Sequence, residues 1–176
     1  MEEYRQAKGL FFSRLGNGDV SDPKERSYAV LNADDPASAY YKRLTAVEVI
    51  TFGLGRDADV RAENIEASAK GTRFDLVTYK GTISVETRLI GTFNVYNVLG
   101  AVACVLLEGV SLEQIRNALG SMKPVEGRME TVDEGQDFQV VVDYAHTPDG
   151  LENALNAIRG IARGKVITVF GCGGDR

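Results

Sequence analysis

The run Val140, Val141, Val142, followed at once by Asp143, Tyr144, Ala145 and His146, constrains this chain more than any other stretch. Three successive β-branched residues without polar alternation predict a strand covered on both faces, as in a parallel sheet flanked by helices. Thr147, Pro148 and Asp149 then read as N-cap, first helical position and first-turn acid of a helix. Leu151, Ala154, Leu155 and Ile158 supply its apolar stripe. After a break at Gly160 to Gly164, the segment Lys165 to Gly171 predicts a second buried strand. This is a βαβ unit, and open α/β sheets bind ligands beyond the carboxyl ends of their strands. Asp143, His146 and the turn Gly171-Cys172-Gly173-Gly174 fall at that place.

The same plan occurs earlier in the chain. A strand from Tyr28 to Leu31 runs into Asn32, Asp34 and Asp35, Pro36 opens a helix through Leu44, and Val47 to Gly53 is the next buried strand. Asn32, Asp34 and Asp35 read as an Asx-type turn and helix cap. Residues 59–91 then change character, with three strand-like runs. In the last, Ile83, Val85, Thr87 and Leu89 alternate with Ser84, Glu86 and Arg88, and Lys80-Gly81 marks a hairpin turn. The expected fold class is α/β, a parallel sheet carrying a small antiparallel sheet.

Three helices complete the first part. Glu2 to Leu15 places Tyr4, Ala7, Phe11, Phe12 and Leu15 at apolar positions, with Lys8 on the face of Phe11, Phe12 and Leu15. On pattern alone Lys8 is a snorkelling lysine; the sharper reading is a functional lysine of shifted pKa. Val95, Val98, Leu99, Val102 and Leu106 form the stripe of a second helix, which leaves Asn94 and Asn97 on another face near its start. One asparagine suffices as a cap, and an amide's paired donor and acceptor suit the edge of a purine. Ser111 with Gln114 predicts a capping box for the third helix, and Lys123 to Glu130, with Arg128, reads as a linker.

Composition narrows the classes. The 176 residues carry a net charge of −5, which argues against nucleic acid or a membrane surface as partner. Cys104 and Cys172 form neither a disulfide framework nor a zinc motif. No leader and no apolar run near the roughly 20 residues of a membrane span is read, so a cytoplasmic location is expected.

GTFNVYNVLGAV, VEGRMETV, VVDYAHTPDGLENAL and VFGCGGDR, in this order, resemble the Mur ligase family, within it the branch adding the third residue of the peptidoglycan stem peptide. MEEYRQAKGLFF and VLNADD extend the likeness over essentially the whole chain. The resemblance implies that residues 1–127 are the C-terminal half of a P-loop-type central ATPase domain and residues 128–176 the start of a Rossmann-like C-terminal ligase domain. The P-loop is expected before Met1, and this fragment alone is expected to be inactive.

The resemblance also implies roles. Lys8 matches a lysine carbamylated to help hold magnesium, the one catalytic and metal assignment. Asn94 and Asn97 match a pair beside adenine, Arg128 and Asp143 match residues at ribose and phosphate, and Tyr144 and His146 match the nucleotide-side loop. The implied cofactors are ATP and Mg2+, and the implied substrates are UDP-MurNAc-dipeptide and a diamino acid, meso-diaminopimelate or L-lysine, joined through an acyl-phosphate. The alternative is an isolated non-catalytic nucleotide-binding module. A Rossmann dehydrogenase is disfavoured because no G-x-G-x-x-G follows a strand.

Overall fold

The computed structural model describes residues 2–16 and 26–171. The expected turn from Cys172 onward and most of the polar loop after Gly16 lie outside the described residues. Five strands form one sheet in the order β1 (Tyr28–Asn32), β2 (Glu48–Gly53), β3 (Val60–Ser68), β4 (Gly71–Thr78), β5 (Gly81–Thr87). β1 and β2 run parallel over their whole length, with α2 (Ser38–Leu44) as the crossover. β2 and β3 are also parallel but share only Phe52↔Val60 and Gly53↔Arg61. The antiparallel strands therefore continue the parallel sheet instead of standing apart from it.

Alternation decides which face of the hairpins is covered. Phe74 pairs with Val85 and Leu76 with Ile83, and Phe74, Leu76 and Val85 are buried. α3 (Thr92–Leu107) covers that face with Val95, Val98, Leu99, Val102 and Leu106, the predicted stripe. α4 (Leu112–Ser121) adds Ile115 and Leu119, and the Ser111–Gln114 capping box forms as expected. From the β4–β5 turn, Lys80 Nζ donates to the Leu106 carbonyl at 2.7 Å, so a cation closes the C-terminal end of α3.

α1 (Glu2–Arg14) corrects an expectation. Tyr4 and Phe11, read as part of its apolar stripe, are exposed, and the buried residue is Gly9. A Cβ on Gly9 would lie 2.8 Å from Leu44 Cδ1, so the glycine lets α1 sit directly on α2. Phe12 completes the contact by stacking on Tyr41 at 4.7 Å between ring centroids. A stripe count gives a glycine no weight, which is why the wrong face was favoured.

The second correction concerns the opening stretch. β7 (Val140–Val142) pairs antiparallel with β6 (Glu130–Val132) and is only half-buried. Residues 165–170 form no strand, and Ile167 and Val169 are 85% and 96% exposed. Double-sided burial is supplied by neighbouring strands and helices, and among the described residues no strand pairs with this segment. α5 (Pro148–Ile161) forms as predicted: Thr147 Oγ1 accepts from Gly150 N at 3.1 Å, with Pro148 in the first turn.

A small second core joins the two parts. Ile90, Met129 and Ala154 are buried together, with Phe93, Val141, Ala145 and Ala157 packed around them.

Candidate nucleotide site

Gly91 starts α3 with φ 96°, a conformation open to glycine, and it caps the helix without any side-chain bond. The cap position thus leaves both asparagines free of that duty. Asn94 Nδ2 donates to the Ile90 carbonyl at 2.8 Å, and Asn97 Nδ2 donates to Asn94 Oδ1 at 3.2 Å. The chain of amides ends at Asn97 Oδ1, which has no partner among the described residues and stands on an exposed residue.

The second group sits where β7 gives way to α5. Asp143 Oδ2 accepts from Met129 N and Oδ1 from Ala145 N, each at 2.9 Å. Both carboxylate oxygens thus hold protein backbone, and Met129, at φ 45°, is kept in its left-handed conformation beside Gly127 at φ 68°. That turn delivers Arg128, whose guanidinium lies 5.0 Å from the centroid of the Tyr144 ring. Tyr144 in turn meets the His146 ring at 5.0 Å. His146 Nδ1 is 3.0 Å from the Tyr144 carbonyl, so Nδ1 donates there and Nε2 is left facing outward. The three rings and planes are solvent-facing, so a flat ligand can reach them.

The small core brings the two groups together. Ile90 accepts from Asn94 through its carbonyl and packs through its side chain with Met129 and Ala145, the neighbours of Arg128 and of Tyr144 and His146. Asn94 thus bonds to one member of this core, and Arg128, Asp143, Tyr144 and His146 lie beside other members of it in the chain or by hydrogen bond. Lys8 is not tied to it by any described contact. Its ammonium lies 4.6 Å from the centroid of the Tyr4 ring, it is exposed, and hydrogen bonding to the Tyr4 side chain holds its pKa above the ordinary lysine value.

A wide cleft of about 1140 Å³ opens nearby, lined by Val141, Leu155, Ile158, Ile161 and residues 160–171. One wall is the apolar stripe of α5, while Lys70, Asp137, Gln139, Asp143, Arg163 and Lys165 add polar groups elsewhere on its lining. Among the described residues no three His, Cys, Asp or Glu side chains converge as a metal site. The donor set thus fits a nucleoside, with a hydrogen-bonding amide and stacking planes, and does not by itself make a magnesium site.

One constellation escaped the sequence reading. The Asp34 carboxylate accepts from Leu54 N at 2.6 Å, Gly55 N at 3.2 Å and the Tyr96 hydroxyl at 2.8 Å. The Leu54 amide, then the Tyr96 hydroxyl and Gly55 amide, hold its carboxyl below the usual range; burial and Asp34 push Tyr96 up to about 12. The Asx turns expected here do form: Asp34 N donates to Asn32 Oδ1 and Ala37 N to Asp35 Oδ1. The available signal was Gly53-Leu54-Gly55 directly after a strand.

The fold is that of the Mur ligases, and the chain belongs to that family: the Mur ligase middle domain matches residues 1–105 and the Mur ligase glutamate ligase domain residues 127–176. Over its whole length the chain is 54% identical to the UDP-N-acetylmuramoyl-L-alanyl-D-glutamate--2,6-diaminopimelate ligase of Geobacillus kaustophilus, covering 36% of that protein. It is 46% identical to the ligase of the same name from Listeria monocytogenes, again over the whole chain and 35% of the relative. A solved structure bearing that name superposes with a TM-score of 0.75 at 29% identity, over 99% of this chain and 35% of the other. The UDP-N-acetylmuramate-alanine ligase of Thermotoga maritima shares the fold, with a TM-score of 0.67 at 24% identity over 90% of this chain and 33% of that one. The chain thus spans about a third of the length of the curated relatives it matches. No helix among the described residues is long and apolar enough to cross a membrane.

Proposed function

We propose that this chain carries the nucleoside-holding part of an ATP-dependent ligase that adds meso-diaminopimelate to UDP-MurNAc-L-Ala-D-Glu in peptidoglycan synthesis. The relatives at up to 54% identity that bear this activity in their names support the substrate assignment, meso-diaminopimelate over L-lysine. The observation that supports the nucleoside role is the Ile90–Met129–Ala154 core, whose Ile90 accepts from Asn94 and whose Met129 donates to Asp143. The main core, which closes with α4 and draws no residue from beyond Met122, supports a division into residues 1–127 and 128–176, with the small core across the boundary.

In this reading Asn97 Oδ1 accepts from the exocyclic amine of adenine, while Arg128, positioned by Asp143, engages ribose and phosphate. Tyr144 and His146 border the base, and the site's location in the cytoplasm follows from that of its nucleotide-linked substrate. The reaction of the whole enzyme is balanced in two steps. A carboxylate oxygen of the dipeptide attacks the γ-phosphorus and ADP leaves. The amine of the diamino acid then attacks the acyl carbon, loses its proton, and phosphate leaves. Magnesium supplies charge neutralisation on the phosphates when bound, and Lys8, as its carbamate, is the residue of this chain that would contribute to holding it. Holding both ends of the nucleoside supplies positioning more than chemistry.

The test is Asn97→Ala in the full-length enzyme. One lost hydrogen bond is worth about 0.5 to 1.5 kcal/mol, so KM for ATP should rise roughly twofold to tenfold while KM for the UDP-linked substrate stays put. An unchanged KM for ATP removes Asn97 from the site.

A further inference from the structure

Asp34 belongs to no ligand-facing group, yet it ties three segments together: the loop after β1, the turn after β2, and α3. The turn closes tightly on it. A Cβ on Gly53 or Gly55 would lie 2.6 or 2.9 Å from a carboxylate oxygen of Asp34. Successive backbone amides in such a turn suit an anion, and here that anion is a side chain of the same protein. The turn is therefore an internal socket, unavailable to a phosphate.

The third strand of this knot ends at Tyr96, which stands between Asn94 and Asn97. Gly100, one helical turn further, brings α3 against the Phe52 ring, where a Cβ would lie 3.2 Å from ring carbon Cζ. Tyr96 and Gly100 thus form the stripe that faces the end of β2. Helix geometry places Tyr96 roughly 200° around the axis from Asn94 and roughly 100° from Asn97, so pinning Tyr96 sets where both amides point. The pin matters because the cap residue, Gly91, contributes no side-chain bond. First turns are the part of a helix most ready to fray, and this one lacks the usual local restraint.

We propose that the Asp34–Tyr96 hydrogen bond is a positioning device for adenine recognition, fixing the rotation of the first turns of α3 so that Asn94 and Asn97 meet the base. The inference rests on the nucleotide site proposed above and names residues of that site that do not touch the ligand.

The test uses Tyr96→Phe in the full-length enzyme, with Asp34→Asn as a second variant and Asn97→Ala alongside. Misplacement of one amide bond should raise KM for ATP about threefold to tenfold in Tyr96→Phe, with kcat changed less than about twofold. The preference for ATP over GTP, measured as the ratio of kcat/KM values, should shrink in step. A control is Lys80→Met, which frees the opposite end of the same helix; it should lower the thermal midpoint without moving KM for ATP. Should Tyr96→Phe and Asp34→Asn lower only the thermal midpoint while Asn97→Ala raises KM, the positioning role is overturned and the nucleotide site stands. Should Asn97→Ala leave KM unchanged, the site itself is wrong and this inference falls with it.

Discussion

Asp143 accepts two backbone hydrogen bonds, and Asp34 two from backbone and one from the Tyr96 hydroxyl, so each carboxylate is already engaged by the protein. Both act by shaping the chain around them: Asp143 holds the turn that presents Arg128, and Asp34 holds the helix that presents Asn97. Lys8 differs, because nothing described restrains it except Tyr4. Carbon dioxide is captured by the neutral amine, and hydrogen bonding to Tyr4 favours the ammonium. A raised pKa means that the neutral fraction, and hence carbamate, grows as pH rises above neutrality. In the full-length enzyme, Lys8→Ala is expected to cut the ligation rate roughly a hundredfold or more, the scale of losing one preorganised charge partner. Added bicarbonate should not restore it, and near-normal turnover would return Lys8 to a solvent-facing lysine. At this scale the sequence showed residue types but not their partners. Asp143 could be read as a polar residue at a strand end, yet its donor is Met129, 14 positions upstream; the hydroxyl that reaches Asp34 is 62 positions away. Separations of that kind are created by folding, and periodicity carries no trace of them.

Among the elements, those that carry their own local reason were legible. The hairpin strands alternate because one face is covered by α3, and α4 and α5 begin at Ser111 and Thr147, whose side chains cap their own helices. Elements that depend on a neighbour were not. The segment 165–170 reads as a strand by its residues but finds no strand partner among the described ones, and α1 turns Gly9 and Phe12 toward α2 while Tyr4 and Phe11 face solvent. The packing of α1 can be tested directly with Gly9→Val. The added side chain meets Leu44 Cδ1 and the Tyr40 ring, both within about 3 Å of the Cβ position, so overpacking should cost about 1 to 3 kcal/mol. Hydrogen exchange should then speed up in α1 and α2 while α3 and α4 keep their protection. Equal acceleration across the sheet would mean that α1 is integral to the main core.

For the molecule as a whole, the division of labour is between a large core under α3 and α4 and a small one around Ile90, Met129 and Ala154. The resemblance to Mur ligases was legible because the asparagine pair and the Asp143 to His146 loop are short and ordered; the joint between them was not, since its members are scattered from Ile90 to Ala154. No Gly-x-x-x-x-Gly-Lys-Ser/Thr motif occurs in this sequence, and the Gly53–Gly55 turn after β2 is filled by Asp34. The 176-residue chain alone should therefore bind ATP only weakly, with a Kd of about 0.1 mM or higher, corresponding to less than about 5.5 kcal/mol of binding energy. Calorimetric titration with ATP checks this, and micromolar binding would favour a self-sufficient nucleotide module. The small joint also bears on timing. In the proposed site, groups on its two sides grip the same nucleoside, and three buried side chains, with Phe93, Val141, Ala145 and Ala157 packed around them, hold those sides together. The grip lasts as long as the joint stays shut, so the dwell time of a spent nucleotide becomes a property of the joint's own opening rate rather than of any single hydrogen bond.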